Sequence, residues 1–444
     1  MTAPDQPRSA DGRWAPGVHT EADIRLDDDG QELQSRLADF LVDNPELVAV
    51  ATLVRGHGAT AYLVGGPVRD LAVGLDPKDL DITSPLAPAQ FREAMAGLTA
   101  DASVYDVGEA HGTTGVVFRR PDGTEVTIEH TTHRTEVYEA DSRVPTVGFG
   151  NDLVEDLRRR DFTVNAVAIS LADREVVDPF GGLDDLDAGV LRTPDDPVRT
   201  MSEDPLRGFR AVRFAALRGF TVDPATAAAI RETSDRYGVV SIERRRDEML
   251  RVFDAGEGAT ARALRTMGEM GVRDQMLMGL GAGSRAEDFE RSMYQLDGDD
   301  VLAALARHSE DPAGTLVAWK VDNGRRSRAL QAIAAADECL ADWRWDAAFR
   351  SHIRKHGVAT MARAGRIEAV GYSGRSNHEI AAIHRRIGEL AAVADMPLPV
   401  DGNDAVAAGL RGPDVGEALR RVEWALCEDP ALSRTGALAL LAPG

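Results

Sequence analysis

The sequence predicts an α+β head, built on a small mixed β-sheet with helices, followed by an all-helical neck, body and tail. Three observations support this class. Period-2 strand patterns and a hairpin signal occur only before about residue 191. From about Pro197 onward, Ala-rich helical periodicity replaces them up to the C-terminus. The length of 444 residues is enough for two or three domains with their own cores.

Composition excludes several classes of protein. The chain carries 51 Lys and Arg against 73 Asp and Glu, a net charge of −22, which excludes a protein that coats duplex DNA. No run of about 18 apolar residues predicts a transmembrane helix, and the first 30 residues lack the apolar core of a signal peptide. Two cysteines, Cys339 and Cys427, exclude a disulfide scaffold and a cysteine-rich zinc site. These limits predict a cytoplasmic protein without a membrane partner and leave its oligomeric state open.

The chain divides into four predicted segments. Residues 1–35 hold eight acidic residues against three Arg and are predicted to form a polar extension. The head is expected at 36–195, the neck at 196–260, and the body and tail at 261–444. In the neck, eleven Arg balance eleven acidic residues, which makes it locally neutral in an acidic chain.

Local signals predict the elements of the head in order. Asn44 is expected to cap a helix that begins at Pro45 and ends at Gly56. The following elements are a strand at 61–64, a helix at 67–73, a strand around Leu80 and Ile82, a helix at 88–98, and a hairpin at 115–131 that turns at Pro-Asp-Gly.

A phosphate-binding turn is predicted at Leu63–Asp70, which reads LVGGPVRD. Lysine occurs at three positions and no G-K-[ST] exists, which excludes a P-loop site; a triphosphate must be held by arginine and backbone amides. Gly65 and Gly66 let amides approach an anion at the next helix, and Arg69 lies one turn further. The alternative is a tight turn with a solvated Arg–Asp pair.

A metal site is predicted at Asp79 and Asp81. Residues i and i+2 of a strand point to the same face, while Leu80 and Ile82 anchor the other face in the core. Adjacent carboxylates repel unless a cation lies between them, and Mg²⁺ held by carboxylates and substrate phosphates is the usual solution. The alternative is an ordinary exposed strand face.

Glu129, in VTIEHTT, could add a third carboxylate to a two-metal site if its strand pairs beside the first. The alternative is a solvent-facing strand carboxylate, and Asp106 and Glu125 are then the nearest substitutes. His130 and a second nearby histidine, without cysteine, make zinc a weak interpretation.

Arginine-rich segments lie at 158–166 and 203–214. In the second, Asp204, Arg207, Arg210 and Arg213 recur every three residues, which predicts a stripe on one side of a helix. Aromatic and apolar residues crowd both segments, so some of these charges are expected to be partly buried. Buried charges need partners, and a nucleoside triphosphate would be one. The alternative is a solvated basic face.

Taken together, these segments resemble the class II tRNA nucleotidyltransferases, the family of CCA-adding enzymes and bacterial poly(A) polymerases. The resemblance covers residues 45–255 and rests on the order GGPVRD, DLD, HGTTGVVF, IEHTTHR, RRDFTVNA, DPFGGLDDLDAGVLRT, EDPLRGFRAVRF and VSIERRRDEML. It implies a nucleotidyltransferase fold for the head. The histidines His130 and His133 stand where the family commonly has apolar residues, which predicts a more polar pocket wall.

The resemblance implies a role for each matching residue. Asp79 and Asp81 would hold Mg²⁺, and Glu129 matches the third carboxylate. The remaining matches concern the nucleotide: Gly65, Gly66 and Arg69 for the triphosphate, Arg160, Asp161 and Asn165 for ribose and phosphate, Asp204 and Arg207 for the base, Arg210 and Arg213 as further nucleotide-binding arginines, and Glu243, Arg244 and Glu248 for closing the neck.

The expected activity is template-independent transfer of CMP and AMP from CTP and ATP to the 3′ end of tRNA, which the body and tail would bind. Poly(A) addition, CC-only or A-only addition, and a non-catalytic RNA-binding relative remain alternatives, as does a metal-dependent sugar transferase. The histidines of the C-terminal half form no His-Asp pair, so no phosphohydrolase activity is expected.

Overall fold

The computed structural model describes residues 31–98, 101–108, 112–137, 146–149, 152–256, 258–281, 293, 296, 298–339, 343–368 and 377–442. The chain forms two compact units, one of Met1–Arg207 with Phe220–Thr233, the other of Gly208–Gly219 with Ser234–Gly444. The first unit therefore extends past the predicted head boundary at residue 195. The mixed α/β head and helical remainder are confirmed.

The helices of the first unit are mostly short. They are α1 Gln31–Asp43, α2 Pro45–Gly56, α3 Gly66–Ala72, α4 Pro88–Met95, α5 Leu153–Arg158, α6 Gly182–Asp187, α7 Pro197–Glu203, the first residues of α8 Leu206–Arg218, and α9 Pro224–Glu232, with a 3₁₀ turn at Thr163–Asn165.

Its strands are β1 Tyr62–Val64, β2 Leu80–Ser84, β3 Ala102–Gly108, β4 Thr113–Arg119, β5 Glu125–Thr132, β6 Arg134–Val137, β7 Thr146–Phe149, β8 Ala168–Ser170, β9 Val176–Val177, β10 Val190–Leu191 and β11 Thr221–Val222. Seven of them form one sheet in the order β3-β4-β5-β2-β1-β8-β9. The pair β2–β5 is parallel and its neighbours are antiparallel, and the predicted hairpin is the antiparallel pair β4–β5.

Two predictions at the start of the chain need correction. Helix α1 begins at Gln31 and buries Leu33 completely, so the predicted extension ends before residue 35, and residues 1–30 lie outside the described part. Asn44 precedes α2 but makes no side-chain cap bond. Its amide donates instead to the Phe40 carbonyl at 2.9 Å, because α1 ends directly before it.

The second unit is helical, as predicted. Its helices are the rest of α8, then α10 Ile242–Phe253, α11 Ala259–Met270, α12 Arg273–Leu277, α13 Gly298–Arg307, α14 Pro312–Ala318, α15 Asn323–Cys339, α16 Asp346–His356, α17 Val358–Glu368, α18 Asn377–Leu390, α19 Gly402–Ala407, α20 Pro413–Glu428 and α21 Arg434–Ala439. Within the predicted neck, β11 departs from the all-helical expectation because it pairs in parallel with β10.

No helix among the described residues is long and apolar enough to cross a membrane. The sheet of the first unit carries its core on the face covered by α4. Ile82 of β2, Ile128 of β5 and Phe91 of α4 are almost completely buried. The residues that alternate with Ile82 along β2 and with Ile128 along β5 point to the other face of the sheet, where the predicted carboxylates lie.

Candidate active site

Three carboxylates come together at the centre of the sheet. Asp81 of β2 is the register partner of Glu129 of β5, and Asp79 directly precedes β2. Burial raises the pKa of the Asp81 carboxyl to about 6, the charges of Glu129 and Asp79 add to this, and Arg160 opposes it. The predicted pairing of the two carboxylate strands is therefore confirmed. Glu125, one of the substitutes for Glu129, pairs with Arg119 instead, and the Asp106 side chain lies outside the described part.

The histidine next to Glu129 does not form a polar wall on this face. His130 is fully buried on the opposite face, where its ring stacks on Phe91 with centroids 3.9 Å apart. Its Nε2 lies 2.7 Å from the Ser84 hydroxyl, and burial lowers the pKa of His130 to about 3. The expected polar wall is wrong for His130, because alternation along β5 sends it to the helical layer.

The predicted phosphate turn links β1 to α3. Gly65 has φ +72° and ψ −128°, a conformation that side-chain-bearing residues rarely adopt. A Cβ at Gly65 would lie 3.0 Å from Arg160 Nη1. Since Arg160 also acts on the Asp81 carboxyl, the turn, this arginine and the carboxylates share one neighbourhood.

A buried chain of hydrogen bonds connects the turn to the RRDFTVNA segment. Arg69 Nη1 donates to Asn165 Oδ1 at 2.8 Å, and Asn165 Nδ2 donates to Asp161 Oδ1 at 2.9 Å. All three side chains are buried. Because Asn165 fixes one edge of the Arg69 guanidinium, Asp161 and Asn165 are placed to support Arg69 rather than to stand as exposed groups.

Asp156 of α5 is a site residue that sequence reasoning missed. It is almost fully buried and accepts from Arg159 Nε and Arg160 Nη2, each at 3.3 Å. The fully buried Leu157 packs in a cluster with Val64 of β1, which places α5 beside the phosphate turn. An acidic residue four positions before Arg160 was the available signal.

Asp204 and Arg207 both have structural partners within the first unit. Asp204 Oδ1 accepts from the Leu206 backbone N–H at 3.1 Å, as a cap does at the start of a helix. Arg207 Nη1 donates to the Thr200 carbonyl at 3.1 Å, and Nη2 donates to the Arg159 carbonyl at 2.7 Å. Both side chains are half-buried at the start of α8, which confirms the prediction that some of these charges are partly buried.

Arg210 and Arg213 belong to the second unit. Arg213 Nε donates to Glu248 Oε2 at 2.5 Å, and its guanidinium lies 4.5 Å from the Phe214 ring centroid. Burial lowers the pKa of Arg213. Arg210 approaches Glu248 only to 4.0 Å and is more exposed, with 33% of its side chain accessible against 14%. Glu248 is therefore paired more closely with Arg213 than with Arg210.

The carboxylates fit a divalent cation. The described residues contain no ready set of three His, Cys, Asp or Glu ligands for a metal ion. Mg²⁺ is usually bound by one or two carboxylates and completed by waters and substrate phosphates, so such a set is not required. Burial raises the pKa of Asp81, and the charges of Glu129 and Asp79 raise it further against the opposing charge of Arg160. A cation would offset this negative charge, and oxygen donors are the ligands that Mg²⁺ prefers.

Two protein families match parts of the chain. "Poly A polymerase head domain" matches residues 61–192, and "Probable RNA and SrmB- binding site of polymerase A" matches residues 219–280. The first match contains the carboxylates and the phosphate turn.

The chain is also similar to individual proteins. It is 30% identical over 386 residues to the CCA-adding enzyme of Lacticaseibacillus paracasei, covering 85% of this chain and 90% of that one. It is 39% identical over 211 residues to the CCA-adding enzyme of Bacillus subtilis, about half of each chain. The solved CCA-adding enzyme of Bacillus stearothermophilus with CTP superposes with a TM-score of 0.66, 27% identity, and coverage of 88% and 95%. The Thermotoga maritima CCA-adding enzyme with tRNA shares the fold, with a TM-score of 0.66, 18% identity, and coverage of 91% and 97%.

Proposed function

This chain belongs to the family of CCA-adding enzymes, and from that premise we propose that it transfers CMP and AMP from CTP and ATP to the 3′ end of tRNA without a nucleic-acid template. The solved relatives with CTP, ATP and tRNA are the precedent for these three substrates. The observation that carries the proposal is the row of Asp81 and Glu129 across two paired strands, with the Gly65 turn and Arg160 beside it.

Asp79 and Asp81 are the proposed Mg²⁺ ligands, with Glu129 as the third carboxylate. When bound, the metal would lower the pKa of the RNA 3′-hydroxyl and offset the charge of the pyrophosphate leaving group. Backbone amides after Gly65, together with Arg69, bind the triphosphate, and the bonds of Arg69 to Asn165 and Asp70 set the direction in which its guanidinium donates. Arg160, anchored by Asp156, offsets charge between the triphosphate and Asp81.

Base choice is proposed to lie with Asp204 and Arg207. The Asp204 carboxylate can accept a hydrogen bond from the exocyclic amine of cytosine or adenine, whereas uracil and guanine present a carbonyl there. Five N–H donors allow Arg207 to keep both carbonyl bonds and still donate to a ring acceptor of the base. The cap bond and the two carbonyl bonds hold both side chains in place before the nucleotide arrives, which lowers the cost of ordering them.

Arg210 and the helical body and tail have proposed roles other than base choice. Arg210 is proposed to bind the triphosphate of every nucleotide alike, through the charge of its guanidinium. Body and tail are proposed to bind tRNA, and a cytoplasmic location fits the free, buried thiol of Cys427.

One experiment tests the activity. The protein is incubated with Mg²⁺, single or paired NTPs, and tRNA transcripts that end before CCA, after C and after CC, and the 3′ ends are sequenced. The proposal expects C addition to the first two and one A after CC, with addition then ending. Runs of A would establish poly(A) addition, additions restricted to C or to A would establish a partial enzyme, and unchanged ends would contradict the proposal.

A further inference from the structure

The row of carboxylates continues across two more strands of the sheet. Gly115 of β4 is the register partner of Glu129, and Tyr105 of β3 is the register partner of Gly115. Directly paired residues point to the same face. The face that carries Asp81 and Glu129 therefore carries, in the same row, a residue without a side chain and then a tyrosine.

The Tyr105 ring lies over Gly115. A Cβ at Gly115 would fall 2.2 Å from Tyr105 Cζ and 2.5 Å from its hydroxyl oxygen, so the ring occupies the space that a side chain would need. With 39% of Tyr105 accessible, one side of the ring meets solvent. Because Gly115 is the partner of Glu129, the ring extends toward Glu129. Burial raises the pKa of the Tyr105 hydroxyl, and the negative charge of Glu129 adds to this.

The phosphate turn lies on the other side of the carboxylates. β1 is the next strand beyond β2, and the Gly65 turn follows its last residue, Val64. In the sheet order, the triphosphate turn and Tyr105 thus flank Asp81 and Glu129 from opposite directions. Nucleotidyl transfer needs the attacking hydroxyl and the leaving pyrophosphate roughly in line, on opposite sides of the phosphorus.

We propose that Tyr105 is a primer-binding residue: its exposed ring face stacks on the 3′-terminal base of the RNA that is being extended. This rests on the proposed function, which supplies the RNA 3′ end. Strands are about 4.8 Å apart, so the Tyr105 backbone lies about 10 Å from that of Glu129, and the ring bridges this gap over Gly115. Stacking on an aromatic ring tolerates any base, which suits a 3′ end whose last base changes during addition.

A different role would be purely structural, because an aromatic ring across a strand often covers a glycine and stabilises the sheet. The two roles differ in what they predict. A cover for Gly115 affects stability, and an aliphatic side chain replaces it in part. A stacking platform affects the affinity for RNA but not for CTP, and only a flat ring replaces it.

The test measures RNA affinity for a tRNA transcript lacking CCA and for the same transcript with an abasic 3′-terminal nucleotide. Binding is followed by fluorescence anisotropy of labelled RNA, and KM values for RNA and CTP are measured in parallel. Removing the terminal base should weaken wild-type binding by about 5- to 150-fold, the usual effect of one base–aromatic stack. Tyr105→Ala and Tyr105→Leu should lose the same factor on the intact transcript and nothing further on the abasic one, whereas Tyr105→Phe should bind like wild type.

Gly115→Ala gives an independent perturbation, since its methyl group displaces the ring while Tyr105 remains. It should reproduce the RNA defect. Gly56→Ala, whose methyl group meets nothing within 4 Å, is the matched control and should behave like wild type.

Equal losses on both transcripts, a raised CTP KM, or Tyr105→Leu that binds like wild type would overturn the proposal. If Tyr105→Phe is as defective as Tyr105→Ala, the hydroxyl acts on Glu129 and the platform is wrong. Failure of the wild-type protein to extend any transcript would contradict the proposed function instead, and the anisotropy data would still decide the role of Tyr105.

Discussion

Replacing Asn165 by alanine should separate nucleotide positioning from stability. The substitution removes the acceptor of Arg69 Nη1 at 2.8 Å and the donor to Asp161 Oδ1 at 2.9 Å, both buried. Hydrogen bonds to charged groups contribute about 1.5–3 kcal/mol each. Arg69 keeps its bonds to Asp70, so losing the Asn165 restraint should raise the KM for a triphosphate by at most the equivalent of one such bond, about 10- to 150-fold.

CTP and ATP should be affected alike, because Arg69 is proposed to bind phosphate and not the base. The assay is steady-state kinetics with each nucleotide at saturating RNA, combined with thermal unfolding. Thr163→Val is the matched control: it removes another buried hydrogen bond of the same turn, from the Thr163 hydroxyl to Asp185 at 2.6 Å, which does not involve Arg69.

The control should lose stability while its KM values for CTP and ATP remain close to wild type. If Asn165→Ala leaves both KM values unchanged, the hydrogen-bonded chain does not position Arg69. If the two variants show the same kinetic defect, the effect is loss of the turn's structure and the reasoning fails as well.

Three further predictions concern other contacts. Arg207→Lys cannot keep both carbonyl bonds in their forked geometry and should lower the unfolding temperature as well as kcat/KM for CTP and ATP, measured together. Asp204→Asn keeps an acceptor for the Leu206 N–H but adds a donor, so kcat/KM for UTP and GTP should rise relative to CTP and ATP with little change in stability. The Arg120 guanidinium holds the pKa of Glu46 below its ordinary value of 4.5, so this pair stabilises the fold above that pH. Glu46→Gln should be less stable than wild type at pH 7, and the difference should disappear as the pH falls through the lowered pKa of Glu46.

Local signals were sufficient for much of the head. The Pro-Asp-Gly turn fixed the β4–β5 hairpin, and alternation around Leu80 and Ile82 predicted which face of β2 is buried. The adjacency of Asp81 and Glu129 was a hypothesis about pairing between distant strands. The hypothesis had a chemical reason, because Mg²⁺ held by carboxylates is completed by substrate phosphates, which a phosphate-binding turn would hold nearby.

Other features depend on contacts that no local pattern encodes. Which face His130 takes follows from the register of β5, and only the fold places Phe91 against it. The capping role of Asp204 was hidden because the predicted stripe placed Asp204 within the helix, whereas α8 begins two residues later, at Leu206. Tyr105 carried no signal, since its importance arises from Gly115 on the next strand.

The central claim is that the carboxylate row on β2 and β5 is the catalytic centre of nucleotide addition. The most direct test is incorporation of CMP into a tRNA transcript that lacks CCA, with Mg²⁺, by wild type and by Asp81→Asn, together with RNA binding and thermal unfolding of both. The account predicts that Asp81→Asn folds, binds RNA and is at least as stable as wild type, because the substitution relieves repulsion among the carboxylates, yet adds no nucleotide. Turnover by Asp81→Asn close to that of wild type would contradict it.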